Sequence, residues 1–339
     1  MEITNLQLFA DNPNVNVTTD STLSVENKTF YDRALIEEAS PNLIHGQFGQ
    51  KRPIPKNGGK RIQFRRYASL PKALKPLTEG VTPEGRKLSA TAIEAEVNQY
   101  GDFVCLSDVL DLTAIDNNVL EATKAVGRQA GMTLDTITRN VLQSGTNVFY
   151  CPKVGADGTT TAVTDRKNLD KTCTLTVDVV KKVAAMLKAA NAPKIAGDYV
   201  CILHPYVAYD IMSDPRWEDM HKYCKPEEMY EGEIGRIAGV RFVETSEAAV
   251  YKGAEDDCPD GLAVFGCLFI AEGAYGVTEV TGGGLQTVGK QLGSAGTADP
   301  LDQRSTVGWK ALQTAEILME PYMVRVECCS AFSPTAEAN

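Results

Sequence analysis

Histidine is the scarcest chemistry-bearing residue in this chain, whose 339 residues contain only His45, His204 and His221. Three imidazoles so far apart provide no metal-ligand spacing, although folding could bring His204 and His221 together, and each is expected to be a structural histidine with satisfied hydrogen bonds. H-E-x-x-H and G-x-S-x-G are absent, and no cysteine has recognisable nucleophile flanks. Glu227 with Glu228, and Asp256 with Asp257, read as solvated loop charges rather than an acid and base pair. No catalytic residue, metal site or cofactor is assigned, and the chain is not expected to be an enzyme.

Paired cysteines are missing too. Nine cysteines, an odd number, run from Cys105 to Cys329 without a C-x-x-C, which encodes neither a disulfide framework nor a zinc site. They read as small buried apolar groups, with Cys328 and Cys329 on opposite faces of a strand. Long apolar runs are also lacking. The longest, Leu262 to Ala271, is far below the roughly 18 residues of a membrane span, and Met1 to Ala10 holds Glu2 with no basic segment before an apolar one. The expectation is a protein made and folded in a cytosol.

What is present is ordinary for a packed fold: hydrophobic residues make up 43% and charged residues 23%. The length allows two or three lobes, because a single core stops growing at roughly 250 to 300 residues. The net charge of −10 argues against a nucleic-acid binder, which would cluster Lys and Arg against phosphates. The charge is uneven, however. Lys51, Arg52, Lys56, Lys60, Arg61, Arg65, Arg66, Lys72 and Lys75 put nine bases and no acid between Lys51 and Thr78, leaving −19 on the remainder.

Residues 1 to 23, rich in Asn, Thr and Asp, suggest an extended arm, and Ser24 to Ala39 reads as a helix stopped by Pro41. Lys60 to Tyr67 alternates, with Ile62 and Phe64 opposite Arg61, Gln63 and Arg65. Thr91 to Val97 alternates again, with Ile93, Ala95 and Val97 opposite Glu94 and Glu96. Two strands thus frame an irregular tip containing Pro71, Pro76, Gly80, Pro83 and Gly85. This hairpin looks too poor in apolar residues to form its own core, so it should need another surface. Asn117 to Ser144 is the strongest helix, with Val126, Ala130, Leu134, Ile137 and Val141 in a single stripe that should lie along a sheet.

Residues 145 to 172 read as a loop or small hairpin. A mixed α/β lobe follows: helix Val177 to Lys188, strand Tyr199 to Leu203, helix Tyr206 to Met212, then strands Gly239 to Thr245 and Leu262 to Ala271. The last strand, Tyr322 to Cys328, sets Tyr, Val, Val and Cys against Met, Arg and Glu, and Pro321 places it at an edge or beside a bulge. Between Gly282 and Gly296 a glycine-rich loop is expected. Its Gly284-x-x-x-x-Gly289-Lys290-Gln291 resembles a phosphate-binding loop but lacks the Ser or Thr after the Lys that would hold Mg²⁺. A nucleotide-dependent enzyme remains as a second reading.

Arm, basic hairpin, long helix, α/β lobe and returning strand come in an order that resembles the Hong Kong 97 fold of tailed-phage major capsid proteins, an α+β class. Local motifs are similar to the coliphage N-four type of that family: Phe30 to Ile36, Gly59 to Tyr67, Leu77 to Pro83, Leu203-His-Pro-Tyr206, Asp214-Pro-Arg-Trp217, Gly235 to Ser246, and Trp309 through Glu327. The resemblance implies an N-terminal arm over 1–48 and an extended loop over 49–104. It further implies a peripheral domain with its spine helix over 105–146 and 305–332, an axial domain over 147–304, and a tail over 333–339. It also implies self-assembly into hexamers and pentamers around double-stranded phage DNA, with a portal protein and decoration or scaffolding proteins as partners. DNA contact would be weak and nonspecific, with no membrane contact. The location would be the virion capsid, assembled in the bacterial cytoplasm. Lys51, Arg52, Lys60, Arg61, Arg65, Arg66, Lys72 and Lys75 would then face the acidic body of the next copy. No subunit cross-linking pair of Lys and Asn is evident, and any scaffold should be a separate protein or absent. An encapsulin-like cellular compartment shares the fold and stands as an alternative.

Overall fold

The computed structural model describes Leu35, Glu38, Ala39 and residues from 43 to 339, except 56–58, 68–69, 78, 81, 83–84, 114–117, 156, 218–234, 280–282 and 295–298. Most of the helix expected over Ser24 to Ala39 lies outside the described residues, although Leu35, Glu38 and Ala39 are helical; His221, Glu227 and Glu228 also lie outside. In chain order the elements begin with β1 (Gln50–Lys51), β2 (Arg61–Tyr67), β3 (Ala90–Glu96), β4 (Asn98–Ser107), α1 (Asp108–Thr113) and α2 (Asn118–Gln143). Next come β5 (Val148–Tyr150), β6 (Lys153–Val154), β7 (Thr160–Thr161), α3 (Val177–Ala189), β8 (Tyr199–Leu203), α4 (Pro205–Met212), β9 (Arg236–Ile237) and β10 (Val240–Glu244). The series closes with β11 (Val250–Lys252), β12 (Ala263–Ile270), β13 (Tyr275–Glu279), β14 (Gln286–Lys290), β15 (Arg304–Ile317) and β16 (Met323–Cys328).

The chain divides into two units, the smaller formed by residues 1–40, 101–130 and 285–310. In it β14 runs antiparallel to β15, Gln286 opposite Lys310 and Lys290 opposite Thr306. The glycine-rich stretch is therefore partly a strand rather than a loop. Cross-strand pairing holds Gly289 and Lys290 extended, which removes the turn a phosphate would need. β4 also pairs with β15. A Cβ on Gly308 would fall 2.6 Å from that of Phe103, so glycine is what lets these two strands approach. Gln129 ties the helix to both strands: its Nε2 donates to Asp102 at 2.6 Å, and its Oε1 accepts from the Trp309 indole at 3.4 Å.

The larger unit comprises residues 41–100, 131–284 and 311–339. Its main sheet runs β5-β16-β12-β8-β10-β9, with β11 beside β12. β8 pairs parallel to β10 and antiparallel to β12. Period-two alternation shares the side chains of β8 between two cores. Tyr199, Cys201 and Leu203 enter a cluster with Val180, Val183 and Leu187 of α3 and Val207 of α4, whereas Val200 and Ile202 pack with Leu142, Leu268, Ile270 and Tyr275. Both faces of β8 and β12 are covered, which explains their continuous apolar sequences. α3 is stabilised at its ends by Asp178 in the first turn and Lys188 in the last. Lys153 and Thr161 pair across β6 and β7, the small hairpin expected in that region.

Three expectations need correction. In α2 the deepest positions in this unit are Leu142, Asp135 and Thr138, followed by Leu134 and Arg139, while Ile137 and Val141 are half-buried. The buried face is thus wider than a single apolar stripe and carries Asp135, Thr138, Arg139 and Gln143, each bonded within the protein. Second, β16 is not an edge strand, because it lies between β12 and β5. Pro321 sits in the turn Glu320–Tyr322 ahead of it, where its missing N–H interrupts no ladder. Third, Cys105 is exposed, although the other seven described cysteines are buried. Burial raises the thiol pKa of Cys258 to about 11 and of Cys329 to about 12, so these two remain protonated and unreactive.

Candidate assembly surface

The surface that sequence singles out is the hairpin of β2 and β3, within the larger unit. Its register pairs Arg61 with Glu96, Gln63 with Glu94, Phe64 with Ile93 and Tyr67 with Ala90. Alternation then separates two faces. Phe64, which is 3% exposed, clusters with Ala95, Leu318, Ile62, Ile93 and Met319. A Cβ on Gly276 would lie 2.7 Å from the Phe64 ring, so the absence of a side chain there makes room for the phenyl group. The opposite face is polar. Arg61 Nη2 stands 3.4 Å from Glu96, and Gln63 Nε2 donates to Glu94 at 2.7 Å.

The hairpin root, expected to need a surface beyond its own two strands, rests on Leu318 and Met319 of its own chain. The tip is different. Leu70, Leu74, Leu77 and Leu88 are exposed, Leu74 by 82% and Leu77 by 78%. All eight assigned basic residues are exposed, but the structure does not gather them into one patch. Lys51 lies on β1, which pairs with β13; Lys60 precedes β2; Lys72 and Lys75 are in the tip. Arg52, Arg65 and Arg66 line a cavity of about 140 Å³ floored by Phe64, Ile93 and Met319. Arg52 also lies 5.9 Å from the Phe64 ring centroid, close enough for a cation–π contact.

Arg61 was expected to be unopposed within its own chain, and its pairing with Glu96 corrects this. The strand returning from the tip supplies acids that a count ending at Thr78 omits. Over residues 51–100, eleven bases meet Glu79, Glu84, Glu94 and Glu96, a balance of +7.

Other polar groups are structural. His45 Nδ1 lies 2.6 Å from Asp135, its backbone N–H donates to the other carboxylate oxygen at 2.7 Å, and Tyr275 donates its hydroxyl to the His45 carbonyl. Its Nε2 is buried with no hydrogen-bond partner among the described residues, so the expected satisfaction is incomplete there. His204 accepts from Tyr206 N–H at 3.2 Å and caps α4. Asp257 pairs with Lys167 at 2.8 Å, and the Asp256 carboxylate accepts from Lys252 N–H at 3.2 Å. Among the described residues no cluster of metal-ligating side chains occurs. Sequence reasoning also missed Glu327, fully buried yet ionically paired with Arg166 at 2.6 Å. A strand carboxylate gives no local sign of a guanidinium 161 residues away.

The family model for phage capsid protein matches residues 90–314, well over half of the sequence. The chain belongs to the phage capsid protein family. No curated protein matches it in sequence. The capsid protein is similar in structure to the capsid of cyanophage Pam1, with a TM-score of 0.64 at 13% identity over 87% of this chain and 93% of that one. It is similar to the capsid of Ralstonia phage GP4, with 0.62 at 14% over 85% and 88%. It is also similar to the capsid of cyanophage P-SCSP1u, with 0.60 at 14% over 84% and 87%. At such identities these likenesses establish the Hong Kong 97-type α+β fold. The family match identifies a shell-forming capsid protein of the virion and favours that role over a compartment protein or a nucleotide-dependent enzyme.

Proposed function

We propose that this major capsid protein closes hexamers and pentamers into an icosahedral shell around double-stranded phage DNA, and that the basic hairpin is the arm by which each copy holds its neighbour. One observation supports this most: a hairpin whose root is anchored by Phe64 while its tip displays leucines and lysines to solvent. A rigid root with an apolar, charged tip is suited to contact with a second molecule, since contiguous exposed apolar surface marks interaction sites. Every copy carries both an arm and an acidic body, so the contact joins unlike surfaces and can close rings. Many such modest contacts accumulate in a shell, and none needs to be tight.

The role is structural rather than catalytic. Negative charge on the body suits a container, because a wall that gripped DNA would hinder its packing and release. The arm, extended loop, peripheral and axial domains are assigned over 1–48, 49–104, 105–146 with 305–332, and 147–304. Portal, decoration or scaffolding proteins complete the particle, which assembles in the bacterial cytoplasm. Negative-stain electron microscopy of the purified protein tests the proposal. Closed shells or ring-shaped capsomers are expected, and a monodisperse monomer across all salt and protein concentrations would contradict it.

A further inference from the structure

At the root of the hairpin, basic residues from two separate sheets meet over an apolar floor. Gln50 and Arg52 stand two apart on and just after β1, which pairs with β13, while Phe64 and Arg66 stand two apart on β2, which pairs with β3. Period two gives each pair one strand face, and all four residues line the cavity of about 140 Å³ together with Ile93, Leu318 and Met319. The Arg52 guanidinium lies 5.9 Å from the ring of Phe64, and its backbone is fixed because its N–H donates to the Val277 carbonyl at 3.2 Å. The hairpin provides no counter-charge at this level. Its acids Glu94 and Glu96 stand opposite Gln63 and Arg61, whereas Arg65 and Arg66 stand opposite Ala92 and Thr91. Among the described residues no carboxylate forms an ion pair with Arg52, Arg65 or Arg66.

We propose that this cavity binds one free phosphate ion, held by Arg52 from the first sheet and Arg66 from the second. Size selects a small ligand, because the cavity falls well below the roughly 300 Å³ at which pockets for organic molecules begin. Guanidinium groups select an oxyanion, since their planar N–H pairs match phosphate oxygens. The net charge of −10 disfavours a polyanion such as DNA and so favours the free ion. Bound there, the ion neutralises both cations and ties the hairpin root to β1. The site lies within one chain and does not depend on how copies meet.

The experiment titrates the full chain with inorganic phosphate in a calorimeter, against chloride at equal ionic strength. Saturable binding of one phosphate per chain is expected, and phosphate should slow cleavage between residues 60 and 100 in limited proteolysis. Arg52→Gln and Arg66→Gln should each weaken binding by about tenfold or more, the loss that follows removal of a charge-assisted hydrogen bond. Both positions are exposed, so the variants should keep the circular dichroism of the wild type. Arg61→Gln removes the same charge from the opposite face, where Glu96 engages it, and should leave the affinity unchanged. Absence of saturable binding, or equal weakening by all three variants, overturns the site. Displacement of the ion by a short single-stranded oligonucleotide at matched phosphate concentration overturns its assignment to the free ion.

Discussion

Glu327 shows how much of this protein depends on individual polar residues. Its carboxylate is fully buried and accepts two hydrogen bonds from Arg166, both 2.6 Å, while the guanidinium lies 4.0 Å from the Tyr251 ring centroid. Burial alone would lower the pKa of Arg166, but the bonds to Glu327 outweigh it and raise the value, so the guanidinium stays charged. Arg166→Ala should cost about 3 kcal/mol in urea unfolding of the unassembled protein, since it removes both guanidinium bonds from a buried carboxylate and leaves it with Arg325, whose Nε lies 3.0 Å away. Asn339 is held as fully: its side chain accepts from Arg139 at 2.8 Å and Val250 N–H at 3.1 Å, and donates to Ser246 and Ala248 carbonyls at 3.2 and 3.0 Å. Asn339→Asp sets an oxygen against two carbonyls and should lower the melting temperature by several degrees in scanning calorimetry. Asp170 is pulled down to about 2, first by the Thr172 hydroxyl. With its folded pKa below the unfolded one, it contributes stability that is complete above about pH 4 and lost as pH falls through 2. Asp170→Asn should flatten acid unfolding in that window. The pairings of Glu327 and Asn339 were not legible in the sequence, because they join residues distant along the chain, and composition says nothing of who meets whom.

Elements were far more legible where one period ran unbroken. β8 and α3 begin at the residues expected, and the two faces of the hairpin divide as the alternation of Ile62, Phe64, Ile93 and Ala95 indicates. β15 was not legible. Its 14 residues include Gly308, Lys310 and Gln313, and burial along it follows no clean alternation, because different strands pair with its two ends. α2 was found but its buried face was misjudged, since Asp135, Thr138 and Gln143 enter the interior by making hydrogen bonds that apolar counting ignores. The need of the hairpin root for a further surface was legible but the surface was not: the aromatic side chain that docks it needs Gly276, more than 200 residues away, to leave space. Phe64→Ala should therefore free the root, costing about 3 kcal/mol of local packing. Limited proteolysis checks this, with new cleavage expected between residues 60 and 100 while the remainder stays protected.

The main sheet of the larger unit has a core on each face, and residues 51–100 carry a charge of +7 while the remaining residues sum to −17. On the proposed reading, attraction between the arm of one copy and the acidic remainder of another weakens with salt, because exposed charges are screened over about 10 Å at 0.1 M. Arg65, Arg66, Lys72 and Lys75 changed together to Glu should leave a folded chain that light scattering finds unable to assemble, and the wild type should assemble less well as salt rises. Arg61 is excluded from that set because Glu96 already engages it. The most direct measurement is a cryo-electron microscopy reconstruction of the assembled shell, traced through residues 60–100. The account predicts Phe64 packed on its own chain and Leu74, Leu77, Lys72 and Lys75 in contact with a different copy. Tip density lying wholly over its own subunit, with no neighbour within contact distance, would contradict it.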